Sequence, residues 1–192
     1  MLASAAGIPF PFMGRFHSHR RLDRGFTLIE LLTVMAIVVI VVAIGLAGYR
    51  NARLRANETA AVAALNAISQ AQAAFAQVCG NSHFAPSLVA LGTPIPATGE
   101  PFLSADLTLS DPIAKSGYVF VLSGTVAPEA QPSCIGVMPV AGYQVTADPL
   151  TPGATGLRFF GTNADRILYE DVTTFAGNMP ETGAPAHGAE IK

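Results

Sequence analysis

The chain has 192 residues and a formal net charge of −2, with 12% charged and 51% hydrophobic residues. That length suits one domain with an appendage, and the slight negative balance excludes a general attraction to nucleic acid. The low charged fraction has a local cause, because between Phe26 and Ala47 only Thr27, Glu30, Thr33 and Gly45 are not apolar.

Residues 1–25 read as a leader. Its first half, "MLASAAGIPFPF", has two prolines and no periodicity. Its second half is basic, with Arg15, Arg20, Arg21 and Arg24 against Asp23. Met13 is an alternative start that leaves a shorter leader of the same character. An ordinary secretory signal has an apolar core of about 7–15 residues followed by a small-residue cleavage site. Here the small residue, Gly25, precedes the apolar run and the run is longer. The plain alternative is an uncleaved signal anchor.

The run from Phe26 to Ala47 spans roughly 33 Å as a helix, enough to cross a hydrocarbon core of about 30 Å. The basic leader places the N-terminus in the cytoplasm by the positive-inside rule. Arg50, Arg53 and Arg55 flank the other end and weaken that inference. They are candidates to meet lipid headgroups or a neighbour's acidic surface, with a solvated face as the alternative.

The helical pattern continues past the apolar run. Tyr49 to Val78 contains no proline and no glycine, and alanine, the strongest helix former, is abundant. Leu54, Ala61, Leu65, Ile68, Phe75 and Cys79 fall on one apolar stripe. Arg53, Asn57, Glu58, Asn66, Gln70 and Gln77 fall opposite. One helix from Phe26 to about Val78 is therefore expected, apolar all round over 26–48 and amphipathic over 49–79. Gly80 and Asn81 supply its stop.

The remainder, 80–175, reads as a globular domain. "NSHFAPSLVALG" predicts a loop and one short helix, and 92–117 is rich in loops. Strands are expected at Tyr118–Leu122, Tyr143–Ala147, Leu157–Phe160 and Arg166–Tyr169. "GTNAD" forms the turn between the last two. Residues 176–192 read as a flexible tail, and there are no internal repeats. Beyond residue 60 four basic residues stand against ten acidic ones, so the globular part is mildly acidic. Cys79 and Cys134 are an even pair in the exported part, which suggests one disulfide; the alternative is two separate buried thiols.

No catalytic set emerges. The histidines are His17 and His19 in the leader, His83 in a loop and His187 in the tail, which does not make a catalytic or zinc site. Cys79 and His83 have a metal-ligand spacing but no second pair. There is no G-x-S-x-G and no P-loop. The expectation is a chain that is not an enzyme and needs no cofactor.

"RGFTLIELLTVMAIVVIVV" resembles the N-terminal signal of type IV prepilins and of type II secretion pseudopilins. In that pattern a basic leader ends in glycine, followed by phenylalanine, a short residue, two apolar residues, glutamate and an apolar helix. Gly25, Phe26, Thr27, Leu28, Ile29 and Glu30 match it position for position. "YRNARLRANETAAVAALNAISQAQAAFAQVCGN", "FAPSLVALG", "KSGYVFVL" and "TPGATGLRFF" look like later segments of pilin-like chains.

The resemblance implies a pilin-like α+β fold, a long N-terminal helix packed on a small antiparallel sheet. It implies cleavage between Gly25 and Phe26 by a prepilin peptidase and methylation of the new Phe26 amine. The mature chain then has 167 residues, the 192 less the leader. Glu30 with Phe26 and Thr27 would set register in a filament of identical and minor subunits built on an inner-membrane assembly platform. An unpaired charge among packed apolar helices is costly, so a subunit at the wrong height is penalised. The implied location is the bacterial inner membrane, amid membrane lipid, with a cytoplasmic leader and a periplasmic C-terminal domain, and then a pilus or pseudopilus. The expected role is a structural subunit of a type IV pilus-like filament. The alternatives are a type II secretion pseudopilin and an uncleaved membrane-anchored binding protein.

Two departures matter. Many pilins have proline where this chain has Ala47, with Gly45 and Gly48 nearby. Many also close a C-terminal loop with a disulfide, and neither cysteine here lies in the last fifty residues. Some major pseudopilins bind calcium near the C-terminus, which makes Asn163, Asp165 and Asp171 candidate ligands. A solvated hairpin turn is the plainer reading of those three.

Overall fold

A computed structural model describes residues 25–191, without the side chains of residues 46 and 47. The basic leader, both candidate starts and Lys192 lie outside the described residues. The chain divides into two units, 1–43 and 44–192.

One helix, α1 (Leu28–Val78), contributes to both units. In the first unit every described residue is exposed, including Leu28, Ile29, Leu31, Leu32 and Ile37. Its most apolar 18-residue window has a mean hydropathy of 2.9 with none of it buried. Among the described residues this is the one helix long and apolar enough to cross a membrane.

In the second unit α1 turns amphipathic as expected. Ala61, Leu65, Ile68, Phe75 and Cys79 are buried, joined by Ala64, Ala71 and Gln72. Beyond Val78, Gly80 donates its backbone N–H to the Phe75 carbonyl at 2.7 Å. Asn81 and Ser82 then adopt left-handed backbone, with φ of 51° and 68°. A Cβ on Gly80 would sit 2.1 Å from the His83 carbonyl oxygen, so this stop requires glycine.

The short helix α2 (Leu88–Leu91) follows, capped by the Ser87 hydroxyl, which accepts from the Ala90 N–H. A single 3-10 turn covers Ala105–Leu107. The sheet has six antiparallel strands in chain order: β1 (Ile113–Lys115), β2 (Tyr118–Ser123), β3 (Gln144–Pro149), β4 (Phe159–Asn163), β5 (Leu168–Asp171) and β6 (Ala189–Glu190). Register aligns Phe120 with Ala147, Leu122 with Val145 and Ala147 with Phe160. Those side chains form the inner face, and they share one core with the α1 stripe and with Leu88, Leu91, Leu103 and Leu107.

Several expectations shift. Strands β3, β4 and β5 begin one to two residues later than the pattern predicts, and Gly161, Thr162 and Asn163 of "GTNAD" are strand rather than turn. The segment expected to be a flexible tail is largely exposed but anchored to the sheet, through the buried Met179 and a short edge strand. Phe175 and Met179 are buried with Tyr169. They lie where a Cβ on Gly161 would point, at 3.1 Å from the Met179 sulfur and 3.4 Å from the Phe175 ring. His187 stacks on Phe175 at 5.0 Å, and its Nδ1 lies 2.7 Å from Asp171 Oδ2. β6 pairs with β5 through Tyr169–Glu190 and Glu170–Ala189. One aromatic stack, the buried Met179 and one edge strand outweigh the polar, glycine-rich composition of 176–191.

Polar groups fasten α1 to the rest of its unit. Gln72, fully buried, accepts from the Ala85 N–H at 2.7 Å and donates to the Ala85 carbonyl at 3.0 Å. Cys79 and Cys134 are disulfide-bonded, tying the end of α1 to the loop before β3. Glu58, expected to face water, is instead buried. Its carboxylate accepts from the Leu157 N–H at 2.9 Å and from the Arg158 guanidinium at 2.8 and 3.1 Å. Arg158 also pairs with Glu170 and lies over the Phe160 ring. A stripe argument from residue type puts a carboxylate outside; a guanidinium across the gap brings it in.

Burial alone would raise the Glu58 pKa, but the bonds from Leu157 and Arg158 and the guanidinium charge outweigh it and hold the carboxyl below its ordinary 4.5. The stability this supplies is present above pH 4.5 and is lost as the pH falls through the lower folded value. Glu58→Gln is expected to cost about 1–3 kcal/mol at neutral pH. It should also flatten the loss of stability on acidification. Unfolding midpoints of both chains between neutral pH and pH 3 check this, and two parallel curves would contradict it.

Candidate functional site

Gly25, Phe26 and Thr27 precede the first helical turn. The Gly25–Phe26 peptide bond is thus exposed and outside the hydrogen-bonded helix, the condition in which a peptidase can engage a chain. Among the described residues no atom lies within 4 Å of where a Cβ on Gly25 would sit. The chain's own packing does not demand glycine there. Phe26 is 79% exposed.

The helix start is held by Thr27 and Glu30. The Thr27 hydroxyl accepts from the Glu30 N–H at 3.2 Å and donates to Glu30 Oε2 at 3.4 Å. This is half of a capping box: the Thr27 hydroxyl caps the Glu30 N–H, while the Glu30 carboxylate meets that hydroxyl rather than the Thr27 backbone N–H. The Thr33 hydroxyl donates to the Glu30 carbonyl at 3.0 Å. Sequence reasoning assigned Thr27 to register and missed this capping role, although the T-x-x-E spacing was the signal for it. No ion pair among the described residues involves Glu30. Its carboxylate is held by a neutral hydroxyl at the start of the apolar, exposed stretch of α1.

The calcium candidates are used within the fold. Asn163 is buried and donates to the carbonyls of Pro180 at 3.2 Å and Gly183 at 2.7 Å. Asp165 Oδ2 accepts from the Gly183 N–H at 2.6 Å. Asp171 is engaged by His187, whose hydrogen bond lowers its pKa against the opposing effect of burial. The first two anchor the 180–183 loop, whereas Asp171 clasps His187. Among the described residues no group of three or more His, Cys, Asp or Glu is placed to hold a metal ion. His83 contacts the Asn81 carbonyl at 3.0 Å, and Cys79, its partner by spacing, is in the disulfide.

Residues 20–46 match the family model described as the prokaryotic N-terminal methylation motif. The N-terminus is of prepilin type. This motif is typical of type IV pilins and type II pseudopilins, and it implies processing by a prepilin peptidase. Behind it stands a pilin-like α+β fold, a long N-terminal helix packed on a six-stranded antiparallel sheet. Proteins of this kind are generally structural rather than enzymatic. The apolar prepilin-type helix is consistent with membrane anchoring. No curated protein and no solved structure matches the chain.

Thr27→Val removes both hydroxyl bonds at nearly constant volume. It is expected to destabilise the first turn by about 1 kcal/mol. Amide exchange of residues 28–31 in detergent micelles should speed up several-fold, while exchange in the second unit stays unchanged. Equal exchange in both chains would remove the capping role.

Proposed function

We propose that this chain is a structural subunit of a type IV pilus-like filament. A prepilin peptidase cuts between Gly25 and Phe26 and the new Phe26 amine is methylated. The mature subunits polymerise through α1. The observation that carries this reading is the position of Glu30: one carboxylate, four residues past Phe26, on the 28–45 stretch of α1, whose other exposed side chains are almost all apolar.

Cleavage creates a cation on Phe26 where there was a neutral amide. Within one subunit Glu30 is one helical turn away. Between subunits Glu30 can meet the amine of a neighbour as helices pack. A carboxylate in apolar surroundings costs about 2.5–3.5 kcal/mol on translocon scales. A neighbour seated at the correct height offsets that cost, and one seated elsewhere does not. Apolar packing then holds the bundle while the pair selects its register.

A pseudopilin role in type II secretion is the second reading. It is favoured by the place of the disulfide, which fastens the end of α1 rather than closing the C-terminal segment. Deletion separates the two, since loss of surface fibres supports the pilus and loss of protein secretion supports the pseudopilus.

Glu30→Ala tests the register role. Processing should continue, because Gly25 and Phe26 are intact, while filament yield drops at least ten-fold. Normal filament yield from this variant would refute the proposal.

A further inference from the structure

The second unit carries a basic cleft that neither the filament reading nor the methylation motif uses. Tyr49, Arg50, Arg53 and Leu54 of α1 form one wall, and Gly153 and Ala154 form the other. The cleft has a volume of about 400 Å³. Its far wall is built by turns in the 150–157 loop, where Gly153 donates to the Gly156 carbonyl at 2.8 Å and Thr155 to the Thr151 carbonyl at 2.9 Å. Asn57 anchors this loop to the helix by donating to the Thr155 carbonyl at 2.8 Å.

The charge in this cleft is of one sign. The loop "LTPGATGL" contains no acid. Glu58, the nearest carboxylate along α1, is buried against Leu157 and Arg158. No ion pair among the described residues involves Arg50, Arg53 or Arg55. Elsewhere the unit is acidic, with ten acidic and four basic residues beyond residue 60.

Position along the chain indicates the partner. The apolar run ends at Ala47, and Arg50 follows three residues later, about 4.5 Å of helix rise. When that run fills a hydrocarbon core, Tyr49, Arg50 and Arg53 stand at headgroup depth, where tyrosine and arginine are favoured anchors. Tyr49 is 64% exposed, and Leu150 and Leu157 present exposed apolar side chains at the two ends of the loop. Cations here run against the usual bias toward the cytoplasmic side. Arg50 and Arg53, three apart, share a helix face, and a guanidinium matches a phosphate with two parallel bonds.

We propose that this cleft holds the phosphate of an anionic phospholipid headgroup while the subunit resides in the membrane. Arg50 and Arg53 supply the charge and the donors. The 150–157 loop supplies the opposing wall. This inference rests on the membrane-anchored reading of the apolar helix.

The test uses the full chain in detergent, with bound lipid counted by native mass spectrometry after adding phosphatidylglycerol or phosphatidylcholine. The wild-type chain should retain phosphatidylglycerol at least five-fold over phosphatidylcholine. The Arg50→Ala/Arg53→Ala chain should lose that preference, and Arg50→Lys/Arg53→Lys should keep only part of it. Arg55→Ala removes the same charge per site outside the cleft and should leave the preference intact. Equal retention by wild type and the double alanine chain overturns the site. So does an equal loss on Arg55→Ala, which would mean general charge attraction. Displacement of the lipid by millimolar inorganic phosphate would assign the cleft to a free anion and overturn the lipid. Unchanged unfolding midpoints establish that the variants are folded. Failure of the full chain to float with vesicles of either lipid would contradict membrane anchoring itself, an outcome distinct from floating without a lipid preference.

Discussion

A single helix here has to satisfy two different surroundings, and the other features follow from that constraint. Over residues 28–45 the described side chains of α1 are exposed and mostly apolar, with no side of the helix left polar. Such a surface is stable only under cover, either lipid or the equivalent helices of other copies. The helix can accept both covers because its backbone hydrogen bonds are internal. Only its first turn needs outside help, and Thr27 with Glu30 provides it. Glu30 closes the first turn. In the proposed function the same carboxylate also partners the amine created at Phe26.

From residue 58 onward the same helix is covered by its own chain. The stripe from Ala61 to Cys79 supplies the apolar share of that contact. The polar share has three main points: Asn57 and Glu58 with the 155–158 segment, Gln72 with Ala85, and the Cys79–Cys134 bond. They lie near the beginning, middle and end of the buried stretch. Each joins α1 to a different segment of the globular unit.

Much of this was legible in the sequence, and the failures have physical causes. The end of α1 was readable because Gly80 and Asn81 are chemically suited to left-handed backbone. Four strands were readable from their aromatic and β-branched residues. β1 and β6 were not, since "IAK" and "AE" have no pattern and exist as strands only through pairing with β2 and β5. The anchoring of the C-terminal segment was missed because it rests on few residues, the buried Met179 and His187 stacked on Phe175. Glu58 was misplaced because its partner Arg158 lies a hundred residues away. The same distance hid the basic cleft, whose second wall, at Gly153 and Ala154, gives no sign in the sequence of meeting Arg50. At the N-terminus, by contrast, the pattern is local. Gly25, Phe26, Thr27 and Glu30 lie within six residues, so spacing alone was informative.

The proposed register role depends on the Phe26 amine, because without it the carboxylate at Glu30 has no cation to pair with. The most direct measurement is the intact mass and N-terminal sequence of the protein from a cell with an active prepilin peptidase. A chain of 167 residues that begins at methylated Phe26 is expected. A mature chain that begins at residue 1 or 13 would contradict the register role.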